Sequence, residues 1–250
     1  MRVKKKIWAA GLLACIVMAE SVVLGGFGAI TSRAAGRADV SPSEGGPGCT
    51  SDIVPEDLSA AASADQLIVV VGTGGCRADI SYYKKNGESW KKMWKEAGYV
   101  GRNGITADKA EGDGATPEGI YRFDLAFGLL DDPGSNLPYH KIEEGDFWID
   151  DPSSSFYNQL VNTERQEKDW NSGENLMEAS PYYNYALSLT YNQERIPGKG
   201  SAIFLHCFKT SEDKASSGCI CLPEERVKEL LEAVTEDTMI VIARDREHLR

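Results

Sequence analysis

The sequence predicts a mainly β fold, a sandwich or barrel with a few short helices. Short apolar or alternating segments recur along the chain, glycine and proline separate them, and a single segment carries a helical apolar stripe. The regular strand-helix alternation of a parallel α/β sheet is not seen in the sequence. Such a pattern favours antiparallel strands packed as a sandwich or closed as a barrel.

The predicted strands are short runs that are either rich in β-branched residues or alternate between apolar and polar residues. They cover residues 67–71, 78–83, 119–127, 185–191, 202–205 and 238–243. The sequence Lys85-Asn86-Gly87 follows the second run and is typical of a hairpin turn. Glycine and proline between residues 112 and 117 predict a tight loop before the third run.

One helix is predicted to start near Pro223. Proline suits the first turn of a helix, and Glu224 and Glu225 suit its positive dipole end. Its apolar stripe consists of Val227, Leu230, Leu231 and Val234.

Residues 1–34 are predicted to be a signal peptide or a membrane anchor. A basic cluster at residues 2–6 precedes an apolar stretch at 7–30, which Glu20 interrupts. The interruption favours a signal peptide over a spanning helix, and the small residues around Ala34 suit cleavage there. An uncleaved anchor is the alternative, and this segment is the only predicted means of membrane attachment.

Residues 35–64 are rich in Gly, Ser, Pro, Ala and Asp, which predicts a flexible linker. Residues 65–250 are long enough for one domain with its own core. We expect this domain to be a monomer.

The charge of the chain argues against a nucleic-acid partner. The formal net charge is −11, and removal of residues 1–34 would take away five basic residues and one acidic residue, leaving −15. A strongly acidic protein lacks the basic surface that binds phosphate backbones.

Five of the six cysteines lie beyond the predicted signal, namely Cys49, Cys76, Cys207, Cys219 and Cys221. An odd number in an exported protein leaves at least one thiol unpaired. Pairing of Cys49 with Cys76 and of Cys207 with Cys221 is one arrangement among several that the sequence allows.

Cys219 is the strongest candidate for a functional residue. It follows Gly218 in a predicted turn, and it lies thirteen positions after His206, which ends the apolar run 202–205. A thiol and an imidazole are the two parts of a cysteine nucleophile and its base, and amides around Ser217 would form an oxyanion hole. From spacing alone, structural disulfides are an equal alternative, and a metal site is a weaker one.

The same residues resemble the L,D-transpeptidase family of the YkuD type. The family pattern is a His followed later by Ser/Thr-His-Gly-Cys and a hydrophobic residue, and the matching residues here are His206, Ser216, Gly218, Cys219 and Ile220. Residues 111–121 resemble the family's Gly-Asp…Thr-Pro-x-Gly stretch. Residues 148–152, with Tyr157-Asn158, resemble a secreted branch of the family. Two positions depart from the pattern, because Ser217 replaces the motif histidine and Cys221 stands where Asn or Arg is common.

The resemblance implies a cysteine acyltransferase that acts on the stem peptides of peptidoglycan. Cys219 would attack the carbonyl of the L-centre of the third stem residue, and His206 would act as the base. The resemblance also implies that Gly218, Ser217 and Ser216 contact the substrate or its oxyanion, and that no cofactor or metal is needed. An amine of a neighbouring stem would then resolve the thioester, which is L,D-transpeptidation.

Two other functions are compatible with the sequence. The same site would be an L,D-carboxypeptidase if water were the acceptor, and a cell-wall-binding module if Cys219 were locked in a disulfide with Cys207 or Cys221. In each case we expect a secreted or extracytoplasmic protein associated with the cell wall.

A Cys207–Cys221 disulfide is a further hypothesis. It would close a loop that joins the base to the nucleophile, and it would leave Cys219 as the free thiol.

Overall fold

The computed structural model describes residues 52–208 and 215–250 and confirms a mainly β fold. The predicted signal peptide, Cys49 and residues 35–51 of the predicted linker lie outside the described residues. None of the helices in the described ranges has the length and apolar character needed to span a bilayer.

The described residues form fifteen strands, one α-helix and four 3-10 helices. The strands are β1 (Gln66–Gly74), β2 (Arg77–Asn86), β3 (Ser89–Tyr99), β4 (Ile105–Thr106), β5 (Thr116–Pro117), β6 (Gly119–Tyr121), β7 (Phe123–Gly128), β8 (Tyr139–Lys141), β9 (Asp146–Trp148), β10 (Leu160–Asn162), β11 (Glu174–Asn175), β12 (Ala186–Leu189), β13 (Phe204–Cys207), β14 (Ile220–Leu222) and β15 (Thr238–Ala243). Helix α1 spans Glu224–Ala233, and the 3-10 helices span Pro55–Asp57, Ser59–Ala62, Leu176–Glu178 and Arg246–His248.

One curved sheet dominates the domain. Ten strands are hydrogen-bonded in the order β6-β15-β1-β2-β3-β14-β13-β12-β7-β8. Strands β6 and β7 are near opposite ends of this order, although only Arg122 separates them in the chain. The backbone amide of Arg122 donates to Thr190 Oγ1 at 2.9 Å, and its guanidinium donates to the carbonyl of Glu236 at 2.6 Å. The sheet therefore curls until its two ends meet, in agreement with the predicted sandwich or barrel.

The main core fills the inside of this curled sheet. It contains Ile68 and Ile242 from one half of the sheet and Leu187 and Leu205 from the other half, all essentially inaccessible to solvent. The apolar stripe of α1 packs into the same core, as predicted.

The predicted elements are found, with shifted boundaries. The predicted strand 119–127 is divided at Arg122 between β6 and β7, because the chain changes from one end of the sheet to the other there. The predicted strand 202–205 begins two residues later, at Phe204. Pro223 is the N-cap of α1 rather than a residue of its first turn.

Strand β3 is the largest element that the apolar pattern does not predict. It returns from the predicted hairpin turn, with Asn86 paired to Ser89. Exposed and less exposed residues alternate along it because one of its faces is solvated, and four charged residues interrupt its apolar pattern. The guanidinium of Arg226 covers the buried ring of Trp94, 5.2 Å from the ring centroid.

Part of the segment assigned to the linker packs against the sheet. The two 3-10 turns between Pro55 and Ala62 bury Leu58 and Ala60 in a second apolar cluster with Leu67 and Val69 of β1. Ordered structure therefore begins before residue 65, because these small apolar side chains cover the outer face of β1.

The main core gives the first prediction. Leu187→Ala should lower the free energy of unfolding by about 2–5 kcal/mol, because Leu187 is fully buried and its truncation leaves a cavity. Leu130→Ala is the matched control, and it should change the free energy by less than about 0.5 kcal/mol because Leu130 is 40% exposed. Urea unfolding measures both, and equal effects would contradict this description of the core.

Candidate active site

The parallel pairing of β13 with β14 brings the predicted site residues together. Its register places His206 opposite Cys221, so their side chains lie on the same face of the sheet. The same face carries Phe204 and Cys219, each two residues earlier in the chain. A cavity of about 550 Å³ opens on this face, and His206, Cys219 and Cys221 line it together with Ser216 and Ser217.

The predicted Cys207–Cys221 disulfide is wrong. Cys207 follows His206 directly and therefore faces the opposite side of the sheet from Cys221. Its thiol lies in the main core and donates to the carbonyl of Tyr185 at 3.4 Å. Cys207, Cys219 and Cys221 are all free thiols, so Cys219 is not locked in a disulfide with either of the others.

His206 is held as a neutral imidazole. Its Nδ1 lies 2.7 Å from the carbonyl oxygen of Cys207, which can only accept, so Nδ1 carries the proton and Nε2 is the basic nitrogen. The ring of Tyr183 packs edge-on against the imidazole, with the centroids 5.3 Å apart. Burial lowers the pKa of His206 to about 4.

Cys219 is held as a neutral thiol. Its Sγ donates to the carbonyl of Ala202 at 3.1 Å and accepts from the amide of Phe204 at 3.3 Å. Burial raises the pKa of Cys219 to about 12, and the nearby carboxylate of Glu174 contributes to the increase. The resting pair is therefore neutral, and it is not a preformed thiolate and imidazolium.

In this structure Nε2 of His206 faces the second thiol of the cavity. It lies 3.7 Å from Sγ of Cys221, whereas the thiol of Cys219 is directed at Ala202. The structure thus brings the predicted base and nucleophile into one cavity without a hydrogen bond between them. Such bonds are often absent from a free enzyme and form when the substrate binds.

The turn before Cys219 is fixed by its own hydrogen bonds. Ser216 Oγ accepts from the amide of Gly218 at 3.0 Å and donates to the carbonyl of Cys219 at 2.6 Å. Gly218 has a φ of +153°, and a Cβ there would lie 3.1 Å from the carbonyl oxygen of Ala115, so glycine is required. The amide of Gly218 is thereby engaged, and that of Ser216 donates to the carbonyl of Val100 at 3.2 Å, so the amides of Ser217 and Cys219 are the remaining candidates for an oxyanion hole around Ser217.

The stretch at residues 109–116 supports this turn from below. Thr116 Oγ1 donates to the carbonyl of Gly218 at 2.8 Å and accepts from the amide of Gly101 at 2.9 Å. The buried ammonium of Lys109 lies 2.7 Å from Asp113 Oδ1, and Asp113 also accepts from the amide of Ala115 at 2.9 Å.

Comparison with known proteins identifies the family of this chain. The family model YkuD, described as the L,D-transpeptidase catalytic domain, matches residues 68–242, which is more than half of the chain. The chain belongs to the YkuD family.

Similar solved structures have low sequence identity to this YkuD domain. Bd1075 of Bdellovibrio bacteriovorus is 18% identical, with a TM-score of 0.41, and the match covers 77% of this chain and 51% of that one. An L,D-transpeptidase of Stackebrandtia nassauensis is 14% identical, with a TM-score of 0.35, over 76% and 60% of the two chains. A mutant L,D-transpeptidase of Enterococcus faecium is 15% identical, with a TM-score of 0.34, over 71% and 49%. The match thus spans about half the length of these chains. No curated protein sequence matches.

Asn158 connects Trp148 of this YkuD domain to the backbone that contacts Cys219. Its Oδ1 accepts from Trp148 Nε1 at 3.0 Å and from the amide of Ala202 at 3.1 Å. Ala202 has a φ of +53°, an uncommon backbone conformation for alanine, and its carbonyl receives the thiol proton of Cys219.

Two further polar groups of the cavity were not predicted from the sequence. Glu174 accepts a hydrogen bond from the hydroxyl of Tyr183 at 2.7 Å, and burial raises the pKa of the Glu174 carboxyl group. Arg102 donates from Nη1 to Ser217 Oγ at 2.9 Å. None of these residues lies in a recognisable motif with Cys219, so only the fold reveals them.

Within the described ranges, no group of three or more His, Cys, Asp or Glu side chains is arranged to hold a metal ion.

The burial of His206 gives a pH-dependent prediction. Because its pKa is near 4 in the folded protein and near 6.5 when unfolded, its contribution to stability is complete above pH 6.5 and is lost as the pH falls towards 4. His206→Asn retains a donor for the carbonyl of Cys207 but cannot take up a proton. From pH 7.5 to 4, the wild type should lose about 3 kcal/mol more unfolding free energy than the variant. Parallel pH curves from urea unfolding would show that His206 is not buried in its neutral form.

Proposed function

We propose that this chain is an L,D-transpeptidase that cross-links the stem peptides of peptidoglycan outside the cytoplasm. The observation that supports this most strongly is the shared cavity of Cys219 and His206, built by two adjacent parallel strands in a YkuD catalytic domain. The basic and apolar character of residues 1–34 supports the extracytoplasmic location.

The first half-reaction forms an acyl-enzyme. The thiol of Cys219 leaves Ala202, gives its proton to Nε2 of His206, and Sγ attacks the carbonyl carbon at the L-centre of the third stem residue. The C–N bond to the terminal D-alanine then breaks, and the protonated imidazole gives its proton to the departing amine. Because both groups are neutral at rest, the proton leaves the thiol as the carbon–sulfur bond forms.

The second half-reaction transfers the acyl group. An amine of a neighbouring stem peptide attacks the thioester carbonyl and loses a proton to Nε2, which returns it to the sulfur as the C–S bond breaks. A new amide bond is made and the free thiol is restored. The amides of Ser217 and Cys219 hold the oxyanion in both steps.

The choice of nucleophile is tested by comparing two thiols of one cavity. Cys219→Ala should lose all turnover of a synthetic tetrapeptide stem, whereas Cys221→Ala should keep it, because Cys219 follows the fixed turn of Gly218 and Cys221 lies deeper in the strand. Mass spectrometry of the products and of the intact protein reports both turnover and the covalent adduct. If turnover survived Cys219→Ala but not Cys221→Ala, the nucleophile would be Cys221 and not Cys219.

The same assay separates transfer from hydrolysis. With an added amine acceptor, the expected product is the new amide. Release of tripeptide alone would show that water is the acceptor and that the protein is an L,D-carboxypeptidase. A correctly folded protein that forms no adduct and no product would contradict an enzymatic role.

The role of His206 has its own expected magnitude. His206→Ala should reduce kcat by roughly 10²–10⁴-fold, the range for a positioned proton-transfer group. A single-turnover acylation rate equal to that of the wild type would exclude His206 as the base of the first step.

A further inference from the structure

Arg102 is the charged residue most closely attached to the nucleophile turn. Its backbone amide donates to the carbonyl of Ser216 at 2.8 Å, and its Nη1 donates to Ser217 Oγ at 2.9 Å. The side chain lies against Gly114, where a Cβ would be 2.7 Å from Cζ of the guanidinium. The guanidinium is therefore held beside Ser217, two residues before the proposed nucleophile.

Three other charged groups of the cavity wall, those of Lys109, Glu111 and Glu174, are engaged by neighbours. Lys109 is paired with Asp113, and Glu174 accepts from Tyr183. Glu111 accepts hydrogen bonds from the hydroxyls of Tyr157 and Ser201.

Arg102 differs from these groups because it has no carboxylate partner among the described residues, in a chain with a net charge of −11. It is also exposed and lines the cavity. A guanidinium carries five N–H donors in a planar array, and the bond to Ser217 uses one of them. The remaining donors match the two oxygens of a carboxylate, the group that a guanidinium binds best.

We propose that Arg102 binds the terminal carboxylate of the amino acid that leaves during acylation. This rests on the proposed function. In the acyl donor, a single Cα separates that carboxylate from the nitrogen of the bond that is cleaved, so it lies close to the attacked carbonyl. Arg102 is hydrogen-bonded to Ser217, two residues before Cys219, and both Arg102 and Cys219 line the cavity. It would thereby supply a substrate contact at the turn where serine replaces the motif histidine.

The test compares kcat/KM of two proteins, each measured with two substrates. Wild type and Arg102→Gln are each given a tetrapeptide stem that ends in a free carboxylate and the same peptide ending in a carboxamide. Amidation should lower kcat/KM of the wild type roughly tenfold, the lower end of the range for a hydrogen bond to a charged group, because the pair is exposed. Arg102→Gln should show the same loss with the carboxylate substrate and no further loss with the carboxamide.

Arg77→Gln is the matched control, since Arg77 is exposed on β2 and does not line the cavity. It should discriminate between the two substrates as the wild type does. Arg102→Lys should retain part of the preference for the carboxylate, because it keeps the charge but not the planar donors.

Two results would overturn the inference while the proposed function stands. In one, Arg102→Gln loses activity equally with both substrates, which indicates that Arg102 only maintains the turn. In the other, Arg102→Gln keeps the preference of the wild type. If the wild type forms no acyl-enzyme with either peptide, the proposed function itself fails, and the assignment of Arg102 fails with it.

Discussion

The parallel pairing of β13 with β14 is the constraint on which the site depends. Neighbouring residues of a strand face opposite sides of the sheet, so this one register directs His206, Cys219 and Cys221 into the cavity and Cys207 into the main core. A shift by one residue would exchange these faces and dismantle the site. Thr116, which bonds to Gly218 before β14, and Asn158, which bonds to Ala202 before β13, hold the backbone where the two strands begin.

Burial determines the chemistry of the pair. The rigid wall that positions His206 and Cys219 also removes them from water, which lowers the pKa of the imidazole and raises that of the thiol. Both shifts favour neutral forms, so the fold stores the nucleophile in an unreactive state. Under the proposed function, the substrate provides part of the activation, by exchanging the bond of Cys219 to Ala202 for a contact with Nε2 and by placing a carbonyl where charge develops.

Local signals in the sequence were sufficient for the fold class, and they singled out His206 and Cys219, which the fold brings into one cavity. The β-branched run 67–71, the Asn86-Gly87 turn and the stripe of α1 carry recognisable local patterns. The spacing of His206 and Cys219 left a catalytic pair, structural disulfides and a metal site open. The pattern does not predict β3 because four charged residues interrupt its apolar positions. Residues 55–64 have the composition of a linker, and only the fold shows that they cover the outer face of β1. The predicted disulfide between Cys207 and Cys221 is wrong, because closeness in sequence to His206 and Cys219 does not show which face of a strand each cysteine occupies. Arg102, Glu174 and Tyr183 are far from the nucleophile in sequence, so only the closure of the sheet brings them to it.

The fold holds Cys219 and His206 as a neutral pair in one cavity. The most direct measurement is a pH titration of the thiolate absorbance of the folded protein in the ultraviolet, with Cys219→Ala as the reference. Burial predicts that the difference between the two proteins shows no thiolate at neutral pH and rises only well above pH 9. A thiolate on Cys219 at pH 7 would show that burial does not hold this thiol in its neutral form.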